Sequence, residues 1–163
     1  MTPKQKLTRV LFVCLGNICR SPTAHGVFRD QVIKAGLQDR IEIDSAGTGD
    51  WHVGRSPDKR AANTAANRGY DLSDLRARQV IGADFNQFNY ILAMDQQNLR
   101  DLAAMVPSGF AGNLSLFLQF AENFSEQEVP DPYYGGEQGF EHVLDLVEDA
   151  AQGLLHHIRS EHF

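Results

Sequence analysis

Cys14 and Arg20 stand at the two ends of the run Cys14-Leu15-Gly16-Asn17-Ile18-Cys19-Arg20, which follows the apolar Val10-Leu11-Phe12-Val13 and leads into Ser21-Pro22. A thiol and a guanidinium bracketing a short loop between a strand and a helix make a phosphate cradle with a nucleophile in its floor. A loop of this length turns its backbone N–H groups inward as an anion-binding nest, and the helix that follows aims its positive dipole end at the same point. Arg20 is placed to clamp two phosphate oxygens with its planar fork. The field that binds a dianion also stabilises a thiolate, so Cys14 is expected to be an ionised nucleophile at neutral pH. Gly16 and Asn17 tolerate the positive φ at which such a nest reverses, and the Ser21 hydroxyl is expected to donate to the sulfur while capping the helix. Composition alone puts a cysteine, a glycine, an arginine and a serine at these offsets less than about once in a thousand. That outweighs the plain alternative of a small buried cysteine closing a strand.

Displacing an alkoxide or phenoxide from phosphorus also needs a proton donor, because the leaving group is poor. Asp131 is the candidate. It lies in Pro130-Asp131-Pro132-Tyr133-Tyr134, where two prolines stiffen the backbone and two tyrosines offer flat faces to an aromatic substrate. By itself Pro-Asp-Pro-Tyr reads as an ordinary turn, and its company with the cysteine loop reverses that reading.

The elements around these residues agree on one place for them. Val10 to Val13 read as a buried strand; Ser21 as cap and Pro22 at the first helical position open a helix with Ala24, Val27, Phe28, Val32 and Ala35 on one stripe. Ile41 to Asp44 form a second strand ending at Ser45-Ala46-Gly47, and Pro57 to Arg68 a helix stopped at Gly69. Tyr90 to Met94 form a third strand, with Asp95 capping a helix that ends before Pro107, and Leu114 to Phe117 a fourth. The closing helix carries Phe140, Val143, Leu144, Val147, Ala151, Leu154 and Ile158 on one stripe. This alternation predicts an α/β fold, a single-domain three-layer sandwich with a small, about four-stranded, mostly parallel sheet and helices on both faces. In such sheets ligands bind outside the carboxyl ends of the strands, where Cys14, Ser45, Asp95 and the segment after the last strand all collect.

With 163 residues, 42% of them hydrophobic, the chain fits one domain over residues 1–163, with 1–7 expected as a flexible N-terminal extension. A formal charge of −6 argues against general affinity for nucleic acid. No apolar run reaches the length of a membrane span or a signal core, and two cysteines do not make a disulfide framework, so a cytoplasmic monomer without membrane insertion is expected. His156, His157 and His162 lack metal-ligand spacing and read as a solvated tail, so no metal and no cofactor is expected. Arg76 and Arg78 fit either phosphopeptide docking or an exposed polar stretch.

The chain resembles the low-molecular-weight protein tyrosine phosphatases from Val10 to the last helix, most closely in Val13 to Pro22, Asp44-Ser45-Ala46-Gly47, Arg78-Gln79-Val80, Met94-Asp95 and Asp131-Pro132-Tyr133-Tyr134. The resemblance implies a phosphotyrosine hydrolase acting on phosphotyrosine-containing proteins. Cys14 would be phosphorylated transiently, Arg20 would bind the phosphoryl oxygens, and Asp131 would protonate the phenolate and then activate water. It further implies a hydrogen bond between Asn17 and Ser45 that holds the loop, and Asp95 as a loop partner. Trp51, Tyr133 and Tyr134 look like walls of a cleft deep enough to favour the long aryl ester. Ile18 stands where relatives that hydrolyse phosphoarginine look to carry a threonine, and an aliphatic residue there favours the phenyl ring.

Two positions depart from the family pattern. Leu75 falls where many animal members have a histidine, and His25, read as a solvated or supporting residue, stands where a glutamate is common. An arsenate reductase shares the cysteine loop but needs further resolving thiols, and here only Cys19 is present. A catalytically dead phosphotyrosine-binding module would be expected to lack Cys14, Arg20 or Asp131. Cys19, within the same loop, is a candidate to trap oxidised Cys14 as a disulfide, or simply to pack beneath the loop.

Overall fold

A computed structural model of the protein describes residues 7–132 and 136–163. Its sheet is built from β1 (Thr8–Cys14), β2 (Ile41–Gly47), β3 (Tyr90–Ala93) and β4 (Asn113–Leu116), all parallel, in the order β2-β1-β3-β4. The helices are α1 (Arg20–Lys34), α2 (Lys59–Asn67), α3 (Asp84–Gln87), α4 (Gln96–Ala103) and α5 (Glu137–His162), with a 3-10 turn over Phe117–Phe120.

Alternation along the buried central strand decides the layers. Val10, Phe12 and Cys14 face one side, where Phe12 meets Phe28 of α1 and Phe117 edge-on, and α5 adds Val143, Leu144, Val147, Ala151, Leu154 and Ile158. Leu11 and Val13 face the other side, against Val80, Phe85 of α3 and Leu102 of α4. The chain leaves β1 in one direction to reach β2 and in the opposite direction to reach β3 and β4. Right-handed crossovers therefore put α1 and α4 on opposite faces. The expected three-layer α/β sandwich is the observed one.

Several boundaries differ from the sequence reading. Helix α1 begins at Arg20, so Cys19 rather than Ser21 takes the cap position and makes no side-chain cap, and Pro22 is the third helical residue rather than the first. Proline is tolerated there because the first four N–H groups of a helix have no intrahelical partner. Strand β2 runs on to Gly47, helix α2 starts at Lys59 on an Asp58 cap, and Phe117 belongs to the 3-10 turn. Gly69, at φ 90°, ends the α2 segment as expected. No described helix is long and apolar enough to cross a membrane.

Candidate active site

Cys14 is the last residue of β1, and the order β2-β1-β3-β4 makes the carboxyl end of β1 the point where successive connections diverge. A crevice opens there by topology alone. The loop from Leu15 to Cys19 closes it, and its carbonyls turn outward: Thr48 N–H donates to Cys14 O, Gly49 N–H to Leu15 O and Asp58 N–H to Ile18 O, at 2.8 to 2.9 Å. With the carbonyls committed outside, the N–H groups of Leu15, Gly16, Ile18, Cys19 and Arg20 donate to no protein acceptor among the described residues. They form the inward-facing nest expected for an oxyanion.

The Cys14 side chain is 3% exposed. Asn17 N–H donates to its sulfur at 3.3 Å, and the Ser21 hydroxyl lies 3.0 Å away. Asn17 Nδ2 donates to Ser21 Oγ at 2.7 Å, which leaves the hydroxyl proton free for the sulfur, the alternative acceptor Ala46 O being 3.5 Å distant. Asn17 thus works twice, and its φ of 57° is the left-handed reversal anticipated for the nest. Gly16 does not show the positive φ expected of it; a Cβ there would instead press on the His52 ring, 2.9 Å from its Cδ2.

The hydrogen bond expected between Asn17 and Ser45 is not formed. Asn17 Oδ1 instead accepts from Arg78 N–H at 3.0 Å, and the buried Ser45 hydroxyl pairs with His25 Nδ1 at 3.1 Å. His25 is therefore not solvated; α1 packs it under the site, and burial, with Arg29 adding to it, pushes its pKa down to about 4. Leu75, at the other departing position, is buried in a small apolar cluster with Ala65 and Leu72. Arg78 is no docking residue: its side chain bridges Asp44 and Asp84 at 3.1 Å while its backbone binds Asn17 and Gly47. Gly47 was not singled out from the sequence, yet a Cβ there would lie 2.7 Å from Leu15 O, so the end of β2 must be glycine for the loop to pass.

Arg20, 4% exposed, folds back from the first turn of α1. Its Nη1 donates to Asp95 Oδ2 at 2.7 Å and to Val129 O at 3.1 Å, and its Nη2 is 4.0 Å from Asp131 Oδ2. Burial works against the guanidinium charge, but the proximity of Cys14, Asp95 and Asp131 outweighs it and raises the pKa further. Asp95 spends its other oxygen on Asn98 N–H at 2.7 Å, capping α4 as expected. Val129 N–H donates to Met94 O at 2.8 Å, so the Asp131 segment is stitched to the end of β3 while the Asp131 carboxyl stays 45% exposed at the mouth.

These residues enclose a cleft of about 310 Å³ lined by Cys14, Ile18, Arg20, Trp51, His52 and Asp131 among others. Trp51 stands at the rim, 68% exposed, with its ring over Gly49. His52 was missed in the sequence because nothing in its neighbourhood marks it. Tyr133 and Tyr134 lie outside the described residues. Cys19 is buried against Ala61 and Phe140, and burial together with Asp58, Cys14 and Asp131 pushes its thiol up to about 12. At the far end of the molecule the histidines are not a free tail: His162 bonds the Tyr90 hydroxyl at 2.9 Å and His157 packs edge-on to Tyr90.

The family model described as low molecular weight phosphotyrosine protein phosphatase matches residues 9–162. The chain belongs to this family. A relative of that name from Schizosaccharomyces pombe is 46% identical over 151 residues, covering 92% of this chain and 96% of the relative. A low molecular weight protein-tyrosine-phosphatase of Bacillus subtilis is 41% identical over 152 residues, covering 93% and 96%. The crystal structure of a protein tyrosine phosphatase from Entamoeba histolytica, with Hepes in its active site, superposes with a TM-score of 0.90 at 39% identity, covering 94% of this chain and 97% of that one.

Proposed function

We propose that this family member hydrolyses phosphotyrosine and small aryl phosphates through a cysteinyl-phosphate intermediate, with Cys14 as nucleophile, Arg20 as phosphoryl clamp and Asp131 as general acid and base. The observation that carries the reading is the sulfur at the floor of a nest of unengaged N–H groups, itself held by two donors, Asn17 N–H and the Ser21 hydroxyl. Donors on the sulfur favour negative charge there, and the same N–H groups receive the phosphoryl oxygens. Cys14 Sγ attacks phosphorus along the axis of the cleft as the bond to the phenolic oxygen breaks, and the leaving oxygen takes its proton from Asp131 at the mouth. The Asp131 carboxylate then accepts a proton from water, whose oxygen attacks phosphorus, releasing phosphate and regenerating the thiolate. Arg20 loses little entropy on meeting the dianion, because Asp95 and Val129 already hold it.

Trp51 at the rim and Ile18 on the wall suit an aromatic ring above the nucleophile, and the depth of the cleft favours an aryl over a seryl ester. The working form is a monomer acting on phosphotyrosine-containing proteins in a reducing compartment such as the cytoplasm, where the two free thiols stay reduced. The test is turnover of para-nitrophenyl phosphate and of phenyl phosphate with vanadate as inhibitor. Cys14→Ser should abolish turnover while phosphate still binds. Asp131→Ala should lower kcat about 10²- to 10⁴-fold for phenyl phosphate, with a smaller loss for the more acidic nitrophenol. Equal losses across leaving groups would remove Asp131 from the acid role.

A further inference from the structure

The catalytic cleft does not stop at its rim. Ile18 and His52 also line a second groove of about 730 Å³, which continues past Arg55 and Ser56 to Lys59 and Asn63 on the first turns of α2. A small aryl phosphate reaches only the first cleft, whereas chain attached to a phosphorylated side chain there can run on into the second, since the two share Ile18 and His52. Its charge says what that is. The whole chain carries −6, yet this groove presents two exposed cations, Arg55 and Lys59, neither of which makes an ion pair among the described residues. Asp58, the carboxylate of the groove, is committed: it accepts from the N–H groups of Arg60 and Ala61 as the cap of α2 and pairs with the Arg60 side chain at 3.3 Å. At the far end, near Ser73, Asp74 is paired with Arg29 and Asp71 accepts from Ser73 N–H.

We propose that this groove docks the residues flanking the phosphotyrosine and selects substrates with Asp or Glu among them, through Arg55 and Lys59. The inference rests on the phosphotyrosine reading of the Cys14 site. Backbone held beside Ile18 and His52 would carry the acidic side chains toward the two cations, while the phosphotyrosine ring drops to Cys14. Exposed ion pairs are individually weak, so selection is a matter of fold-changes in kcat/KM and is screened by salt.

The experiment compares phosphotyrosyl peptides with Glu, Ala or Lys at the four positions on either side of the tyrosine, using wild type and Arg55→Glu/Lys59→Glu, with para-nitrophenyl phosphate as control. Wild type should prefer the acidic peptide over the neutral one by about three- to tenfold on at least one side of the tyrosine. The double variant should lose or invert that preference, lowering kcat/KM for the acidic peptide about ten- to fiftyfold while para-nitrophenyl phosphate turnover stays within about twofold. Raising the salt to about 0.5 M should shrink the wild-type preference. A wild type indifferent to flanking charge, or a variant that keeps the preference, overturns the docking. A parallel loss of para-nitrophenyl phosphate turnover would mean the cations act on the catalytic site, and equally overturns it. If wild type hydrolyses no aryl phosphate at all, it is the underlying phosphatase reading that fails.

Discussion

Replacing Asp95 tests how the site holds Arg20. The guanidinium is nearly inaccessible, and its acceptors in the protein are Asp95 Oδ2 at 2.7 Å and Val129 O at 3.1 Å, with Asp131 at 4.0 Å. Removing one partner of a buried pair costs about 3–5 kcal/mol. Asp95 retains 23% side-chain exposure and Val129 O remains, so the loss of the ion pair is about 2–3 kcal/mol here. Asp95→Ala also removes the cap on Asn98 N–H, about 1 kcal/mol more. The sum, about 3–4 kcal/mol, lowers Tm by about 6–16 °C in a chain of this size. Asp95→Ser keeps a capping oxygen but no charge and should recover about 2–4 °C of that. With Arg20 unanchored, kcat/KM for para-nitrophenyl phosphate should fall about 10- to 100-fold in both variants. Saturating phosphate should narrow the Tm gap, because the bound anion replaces Asp95 as counter-charge. Thermal unfolding followed by circular dichroism, with and without phosphate, reads all of this. A drop below about 3 °C for Asp95→Ala, or a serine variant no better than the alanine one, would refute the reasoning.

His25 makes stability depend on pH. Its folded pKa, about 4, lies below the ordinary value of 6.5, so the unfolded chain binds the proton first and stability, complete above about pH 7, is lost as pH falls from about 6.5 to 4. The loss is at most about 3 kcal/mol, and His25→Gln should flatten that limb in denaturant titrations at pH 7.5 and 5.0; an unchanged slope would show that His25 is not buried neutral. Gly47→Ala should cost about 1–3 kcal/mol, since its Cβ would press on backbone at 2.7 Å, and should lower kcat/KM more than its stability loss explains; unaltered kinetics would show that the loop yields freely. After peroxide inactivation and dithiothreitol, wild type should recover activity and Cys19→Ser should not, if Cys19 traps the Cys14 sulfenic acid. Trapping in wild type should be slow, because the Cys19 thiol is buried and held up at about 12, and equal recovery in both proteins would remove the protective role.

The candidate groups of the cysteine loop were legible in the chain because their spacing is local. Cys14, Asn17, Arg20 and Ser21 lie within one turn of loop and helix, so their geometry follows from a strand end, a left-handed residue and a helix start. Period-two and three-and-four patterns likewise gave the four strands and the helices α1, α2, α4 and α5 to within a few residues, but not the short α3 or the 3-10 turn. What holds the loop is not local. Arg78 on Asn17, Asp95 and Val129 on Arg20, His25 on Ser45, and Gly47 under Leu15 join segments separated by up to 109 residues, and no pattern within any one of them encodes the partner. The mistaken pairing of Asn17 with Ser45 arose there, and so did the open choice between a solvated and a supporting His25, which the structure decides for the supporting one, since burial is set by which helix covers which face of the sheet. The candidate site residues were thus picked out by types and spacing along the chain. Their support, and the cationic groove beyond them, were decided only when the sheet order set the end of β1 between those of β2 and β3 and the fold laid the segment from His52 to Ser73 against Ile18.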